Sequence, residues 1–424
     1  MIRIQQLKVP LTYDETFLRK EIAKKLRIPI SDIKDLHIRK QSLDARKKPD
    51  LYYVLTVDLT VAKEGTILKK KQNITVSAVT EQSYQMPECG NISLSHRPVI
   101  AGFGPAGLFC ALILAKAGYR PLVLERGEDI DHRTAAVEQF WNTGVLNTES
   151  NIQFGEGGAG TFSDGKLNTL VKDACGRNNY VLETFVKAGA DPDILYVNKP
   201  HIGTDVLRIV IKNLREEIIA LGGEVRFGSK VSDLLIKENR LYGIKVNGEE
   251  ELPCEALVLA VGHSARDTFS MLCDHKILMQ PKSFAVGLRI EHPQSMINYS
   301  QYGQEYHELL GAANYKLTRK LSNGRGIYSF CMCPGGFVVN ASSEKEQIAV
   351  NGMSYRARDS RNANSAMIVT VTPEDFGHSG ILGGIAFQRD LEKAAYQAGC
   401  GKVPVQLFGD FCENRPSTAL GDVT

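Results

Sequence analysis

Residues 1–8 alternate apolar and polar side chains, the period of a half-buried strand. From Asp14 to Leu26, apolar Phe17, Leu18, Ile22, Ala23 and Leu26 recur at helical spacing. "DLHIRKQSLDARKKPDLYYVLTVDLTV" then predicts two strands around the turn "ARKKPD". These elements make a small β-α-β-β module, followed by the linker "MPECGNISLSHRP" that ends near Arg97.

From Pro98 the pattern changes. "PVIAG" reads as a short buried strand, "PAGLFCALILAKAG" as an apolar helix stopped at Gly118, and "PLVLE" as a second strand. Asp205 to Gly223 gives another helix. "EVRFG", "KVSDLLIKEN", "RLYGIKVNG" and "EALVLAVG" are strand-like runs, the last read as buried. A βαβ start, a late helix, a meander and a final strand predict a nucleotide-binding domain with an insertion. From about Ser283 the pattern is mostly β with polar loops, closed by a helix at "FQRDLEKAAYQAG". The expected fold class is α/β. A Rossmann-like domain (96–274) carries a β-rich substrate domain (275–424) and a small basic α+β module (1–92).

Composition narrows the class. With 424 residues, 43% hydrophobic and 23% charged, the chain is that of a globular protein with a sizeable core. No run reaches membrane-span length, the N-terminus does not read as a secretion signal, and nine scattered cysteines argue for reduced thiols. A cytoplasmic protein is expected. Net charge is only +3, but the first 95 residues carry 17 Lys/Arg against 11 Asp/Glu. That module suits RNA or an acidic partner, and equally a solvated surface.

"GFGPAG", Gly102 to Gly107, follows a strand and opens a helix, the context that makes G-x-G-x-x-G a dinucleotide fingerprint. Gly102 permits the tight turn, Gly104 lets a pyrophosphate reach the backbone, and Gly107 allows close helix–strand packing. Pro105 opens the helix without losing a needed donor, and the helix end favours phosphate. Glu125 ends the second strand, where a carboxylate suits a ribose diol. Gly102, Gly104, Pro105, Ala106, Gly107, Glu125 and Arg126 are the expected cofactor contacts here.

"GEGGAGTFSDGK", Gly155 to Lys166, matches two motifs literally. Neither holds. No buried strand precedes it and no apolar helix follows, as a fingerprint needs. Leu167 stands where a P-loop needs a Ser or Thr hydroxyl. Its glycines predict backbone that comes close to a flat or charged ligand, with Gly157, Gly158 and Gly160 facing the cofactor; a flexible surface loop is the alternative.

The βαβ start, the meander and "EALVLAVGHSA" resemble FAD domains of the glutathione-reductase superclass. That resemblance implies that the Val231 backbone faces the adenine and that Gly262 ends the last strand at the cofactor. The stretch around Gly155, with "NKPHIGTDVL", "SFAVGLRIEHPQ", "YSFCMCPGGFVVNASSE" and "NGMSYRARDSRNANSA", resembles bacterial FAD-dependent, NAD(FAD)-utilising dehydrogenases over nearly the whole chain. The resemblance implies tightly bound FAD and an oxidoreductase. Such proteins usually carry a final glycine-rich segment running into a helix. This chain stops at "RPSTALGDVT", so a fragment with an open flavin pocket is expected.

Cys331 and Cys333 in "CMC" lack the second pair of a zinc site and read as buried small residues or as a redox couple. His263 could approach the flavin. Arg356, Arg358 and Arg361 could clamp an anionic substrate or lie in solvent. Asp164 and Lys166 could move protons or stabilise charge near a flavin. Trp141 reads as packing. No metal spacing appears, and no catalytic residue is assigned. The expected activity is hydride transfer between FAD and a small-molecule substrate or NAD(P)H; an RNA-modifying flavoprotein is the alternative.

Overall fold

The computed structural model describes residues 1–70, 75–80, 83–167, 169 and 171–420. The N-terminal module runs β1 (Ile2–Pro10), α1 (Glu15–Leu26), β2 (Ile33–Lys47), β3 (Asp50–Val61), α2 (Glu64–Lys70) and β4 (Val76–Ala78). Its sheet order is β2-β3-β1-β4. Ile2, Ile4, Leu7 and Val9 of β1 bury against Leu18, Ile22 and Leu26 of α1. The long β2–β3 hairpin reaches further, packing Leu43, Ala45 and Leu51 around Ile297, Tyr302, Met332 and Ala363.

The central unit contains β5 (Val99–Ala101), α3 (Pro105–Lys116), β6 (Leu122–Leu124), α4 (Ile130–Thr143), α5 (Arg177–Lys187) and α6 (Thr204–Ala220). It continues with β7 (Glu224–Arg226), β8 (Val231–Lys237), β9 (Arg240–Val246), β10 (Glu250–Pro253), β11 (Leu257–Leu259) and α7 (Arg266–Asp274). Four strands form a parallel sheet in the order β11-β5-β6-β7. Its two faces follow from the two-residue period of β5 and β6. Ile100 and Val123 point to Leu108 and Leu112 of α3 and to Val210, Ile211 and Leu214 of α6. Val99, Ala101, Leu122 and Leu124 point the other way, to Val231, Leu234, Ile244 and Val246 of the antiparallel meander β8-β9-β10.

Two sequence expectations are corrected. "EVRFG" supplies β7 of the parallel sheet, and the polar β10 completes the meander instead. β11 is an edge strand with Val258 and Leu259 nearly 40% exposed, because no strand covers its outer side.

The last part holds β12 (Phe284–Pro293), α8 (Gln294–Tyr302), β13 (Thr318–Lys320), β14 (Gly326–Cys333), β15 (Phe337–Asn340), β16 (Val350–Met353), β17 (Asn362–Val371), α9 (Gly383–Ala398) and α10 (Phe408–Cys412). An antiparallel sheet β12-β17-β14-β13 is flanked by the β15–β16 hairpin. The chain is thus a mixed α/β protein. Among the described residues no helix is long and apolar enough to cross a membrane.

Candidate functional site

The turn between β5 and α3 is fixed by crowding. Gly102 has φ +99°, and a Cβ there would fall 2.5 Å from the Ala260 carbonyl oxygen at the end of β11. A Cβ at Gly107 would fall 2.0 Å from the Gly102 carbonyl oxygen, so Gly107 serves helix–strand packing. Gly104 caps α3 and Pro105 is its first residue. By position, the N–H groups of Ala106 and Gly107 have no carbonyl partner inside the helix.

Glu125 ends β6 almost fully buried. Its carboxylate accepts N–H bonds from Phe103 at 2.7 Å, Gly127 at 2.9 Å and Gly155 at 2.9 Å. The acid therefore ties the fingerprint turn to the second glycine-rich loop.

That loop is not flexible surface. Gly158 has φ +63°, and a Cβ on it would fall 2.9 Å from Gly104 Cα, so the two loops meet as bare backbone. The N–H groups of Gly155, Gly157 and Gly158 are spent inside the protein, on Glu125, Phe103 and Gly155. Gly158–Phe162 then forms a 3-10 turn. Arg133 of α4, fully buried, donates to the carbonyls of Asn151 at 2.8 Å, Ile152 at 2.7 Å and Glu156 at 2.5 Å. Burial drops its pKa to about 9, opposed by Glu125 and Glu156. Phe162 is flanked by the Arg133 and Arg208 guanidiniums at 4.9 and 4.8 Å.

A cleft of about 540 Å³ opens where these parts meet. Gly102, Gly104, Pro105, Ala106, Glu125, Arg126, Gly158, Gly160, Val231 and Gly262 line it. The structure leaves two sequence candidates out of the wall. Gly107 packs inside as described. Gly157 faces inward, where a Cβ would meet Thr161 Oγ1 at 2.3 Å and Ile211 Cδ1 at 2.4 Å. Sequence reading missed Gln153, Phe154, Ser229 and Lys230, which also line the cleft. Arg126 stacks over Phe154 at 4.1 Å and pairs with Glu149 at 2.8 Å and Asp267 at 3.0 Å. His263 is in the wall, its pKa lowered by burial and by Arg266.

The far end of the loop docks on the β-rich part. Asp164, 1% exposed, accepts from Arg358 Nε at 2.8 Å and from the Ser354 hydroxyl, and lies 3.1 Å from Lys166 Nζ. Burial raises its carboxyl pKa, and Arg358 with Lys166 more than offsets this, leaving it lowered. Arg356 pairs with Asp193 at 2.6 Å. Arg356 and Arg358 are therefore committed to carboxylates, which corrects both alternatives for these two residues, an anion clamp and a place in solvent. Trp141 packs edge-on to Phe162 and donates to the Asn340 carbonyl at 3.0 Å. The polar run after Lys166 falls partly on residues 168 and 170, and the expected lack of a helix after Gly421 concerns 421–424; these lie outside the described residues.

A protein of Clostridium beijerinckii, itself described as uncharacterised, is 51% identical over 426 residues, covering all of this chain and 79% of that protein. The chain belongs to that protein's family. Residues 283–424 match the family "FAD-dependent protein, C-terminal domain-like", and residues 1–60 a domain of unknown function, DUF8436. A digeranylgeranylglycerophospholipid reductase of Haloferax volcanii is 27% identical over 243 residues, 56% of this chain and half of that protein. Among solved structures, a FAD-complexed glycerol-3-phosphate dehydrogenase of Bacillus halodurans matches at 12% identity and a TM-score of 0.29, over 64% of this chain and 46% of that one. That score is too low to bear on function.

FAD is the cofactor, as the match of residues 283–424 to a FAD-dependent family supports. The cleft fits it. Side chains are absent where Gly104 meets Gly158, and the opening turn of a 12-residue helix faces the same space. A carboxylate offers about four acceptor positions. The protein fills three on Glu125, two on Oε1 and one on Oε2.

Proposed function

We propose that the chain is a FAD-dependent oxidoreductase of the glutathione-reductase type, exchanging hydride between FAD and a small organic substrate or NAD(P)H. The observation that carries this reading is the convergence on one cleft of the Gly102–Gly104 turn, the Gly158–Gly160 turn and the Val231 and Gly262 strand ends. When bound, the flavin supplies the two-electron chemistry. The protein's residues bind and orient it. Ala106 would offer its N–H group to phosphate, and the remaining acceptor position on Glu125 Oε2 would take a ribose hydroxyl. Val231 borders the adenine end, and Gly160 lies against the flavin ring.

The 27% identity to a reductase over 56% of the chain supports a reducing role without carrying over that enzyme's substrate. The β-rich part, residues 283–424, would supply the substrate-facing wall. Anaerobic mixing of the FAD-loaded protein with NADH, NADPH and a panel of organic reductants tests the reading. Rapid bleaching of the flavin absorbance by one class is expected. A flavin that no hydride donor reduces, and that once reduced chemically passes electrons to no organic acceptor, would overturn it.

A further inference from the structure

The pair Cys331 and Cys333 is not among the residues that line the cleft. It sits at a bulge in β14: register with β17 slips by one residue between Phe330 and Cys333. Cys331 has φ +45°, a left-handed conformation that a non-glycine residue rarely holds, and such outliers cluster at functional sites. Cys331 is half-buried and Cys333 fully buried; the Cys333 thiol donates to the Cys331 carbonyl oxygen at 3.3 Å and lies against the Cys331 thiol.

Two cations converge on them. Lys166 Nζ donates to the Met332 carbonyl and lies 3.9 Å from Cys333 Sγ. Arg289 Nη2 donates to the Cys331 carbonyl at 2.8 Å and lies 3.8 Å from Cys333 Sγ. Among the described residues no carboxylate pairs with Arg289; its other partner is the Asn364 side-chain oxygen Oδ1, at 2.6 Å from Nη2. Asp164, which acts electrostatically on the pair, is already shared by Arg358 and Lys166. Gly352 makes room for the cluster: a Cβ there would fall 2.2 Å from Arg289 Nη2 and 2.7 Å from Cys333 Sγ. The Cys333 thiol bonded to Cys331 lowers the Cys331 pKa, and burial opposes this, while Lys166 and Arg289 add to it. The same bond and burial raise that of Cys333. Lys166 and Arg289 thus stand within 4 Å of the Cys333 sulfur, two residues from the more exposed Cys331, and cations close to a thiol pair are the surroundings of reactive cysteines.

We propose that Cys331 and Cys333 form a thiol–disulfide exchange site, with Cys331 as nucleophile, Cys333 as resolving thiol and a disulfide as substrate. The Cys331 thiolate attacks one sulfur of R–S–S–R′, forming a mixed disulfide and expelling R′S⁻. The Cys333 thiol gives up its proton to that leaving thiolate, and its sulfur attacks Cys331 Sγ, expelling RS⁻. Two cysteines are oxidised to one disulfide while one substrate disulfide is reduced to two thiols, RS⁻ taking its proton from water. The exchange is reversible and needs no flavin, so it stands or falls apart from the proposed oxidoreductase activity.

The test is residue-resolved mass spectrometry on the full FAD-loaded chain. Iodoacetamide alkylation of Cys331 should have a pH midpoint below 7, well under that of free cysteine, near about 8.5, run alongside as the reference. Lys166→Met should move the Cys331 midpoint upward. With oxidised glutathione, the native protein should become lighter by the mass of two hydrogen atoms. Cys333→Ser should instead retain a glutathione adduct on Cys331, and Cys331→Ser should gain none at Cys333. A Cys331 midpoint equal to that of free cysteine, or a native chain that forms no Cys331–Cys333 disulfide, would overturn the proposal. The alkylation profile of the native chain decides even where a variant fails to fold.

Discussion

Glu125 accepts the backbone N–H of Gly155 at 2.9 Å across 30 residues of sequence. The same carboxylate holds the N–H of Phe103 in the fingerprint turn. One buried acid thus sets the spacing of the two glycine-rich loops that bound the cleft.

Glu125→Gln should therefore act on both fold and cofactor. The amide keeps the shape but one end can no longer accept, leaving at least one of the three N–H groups unpaired. A buried donor left unpaired costs about 1–3 kcal/mol. A lower melting temperature together with lower FAD content is expected, checked by calorimetry and flavin absorbance. Unchanged stability would show that the carboxylate does not hold the loops.

Gly158 and Gly160 separate folding from binding. At Gly158 a side chain meets Gly104 Cα at 2.9 Å and the backbone has φ +63°, so Gly158→Ala should destabilise the protein itself. At Gly160 the nearest atom to an added Cβ is Pro105 Cγ at 4.0 Å, and the residue lines the cleft. Gly160→Leu should leave the melting temperature of the apoprotein within about 2 °C, the scale of a surface change, and weaken FAD binding at least tenfold. Equal FAD affinity in that variant would place the flavin elsewhere.

Glu344 gives a pH signature. Burial raises its carboxyl pKa, but bonds from Arg389 and Arg266 outweigh burial and hold it at about 2, below its ordinary 4.5. Its folded pKa is depressed, so its stabilisation is complete above about 4.5 and fades as pH falls toward 2. Glu344→Gln should lower the melting temperature at pH 7, and the gap to the native protein should close across that window. A gap independent of pH would remove the ion pairs from the account.

The parts legible in sequence were those whose signal is local. β5, the Gly102–Gly107 turn, α3 and β6 are contiguous, and short buried runs around a glycine turn admit few other structures. The reading of "GEGGAGTFSDGK" as neither of its motifs rested on flanking context, which is also local. What escaped depends on distant pairings. Glu125 looked like a ribose ligand only, because nothing in the string joins positions 103, 127 and 155 to it. Arg356 and Arg358 looked free because Asp193 and Asp164 lie more than 160 residues away. Arg133 did leave a trace: it falls on the stripe of Ile130, Val137 and Phe140 that buries α4, where a charge demands partners.

The central claim is that this cleft holds FAD, and the absorption spectrum of the purified chain, after incubation with FAD and removal of the excess, tests it most directly. The account predicts retained flavin bands near roughly 370 and 450 nm, close to one flavin per chain, and their loss in Gly160→Leu. A native chain that keeps no flavin, or a Gly160→Leu chain that keeps it in full, would contradict it.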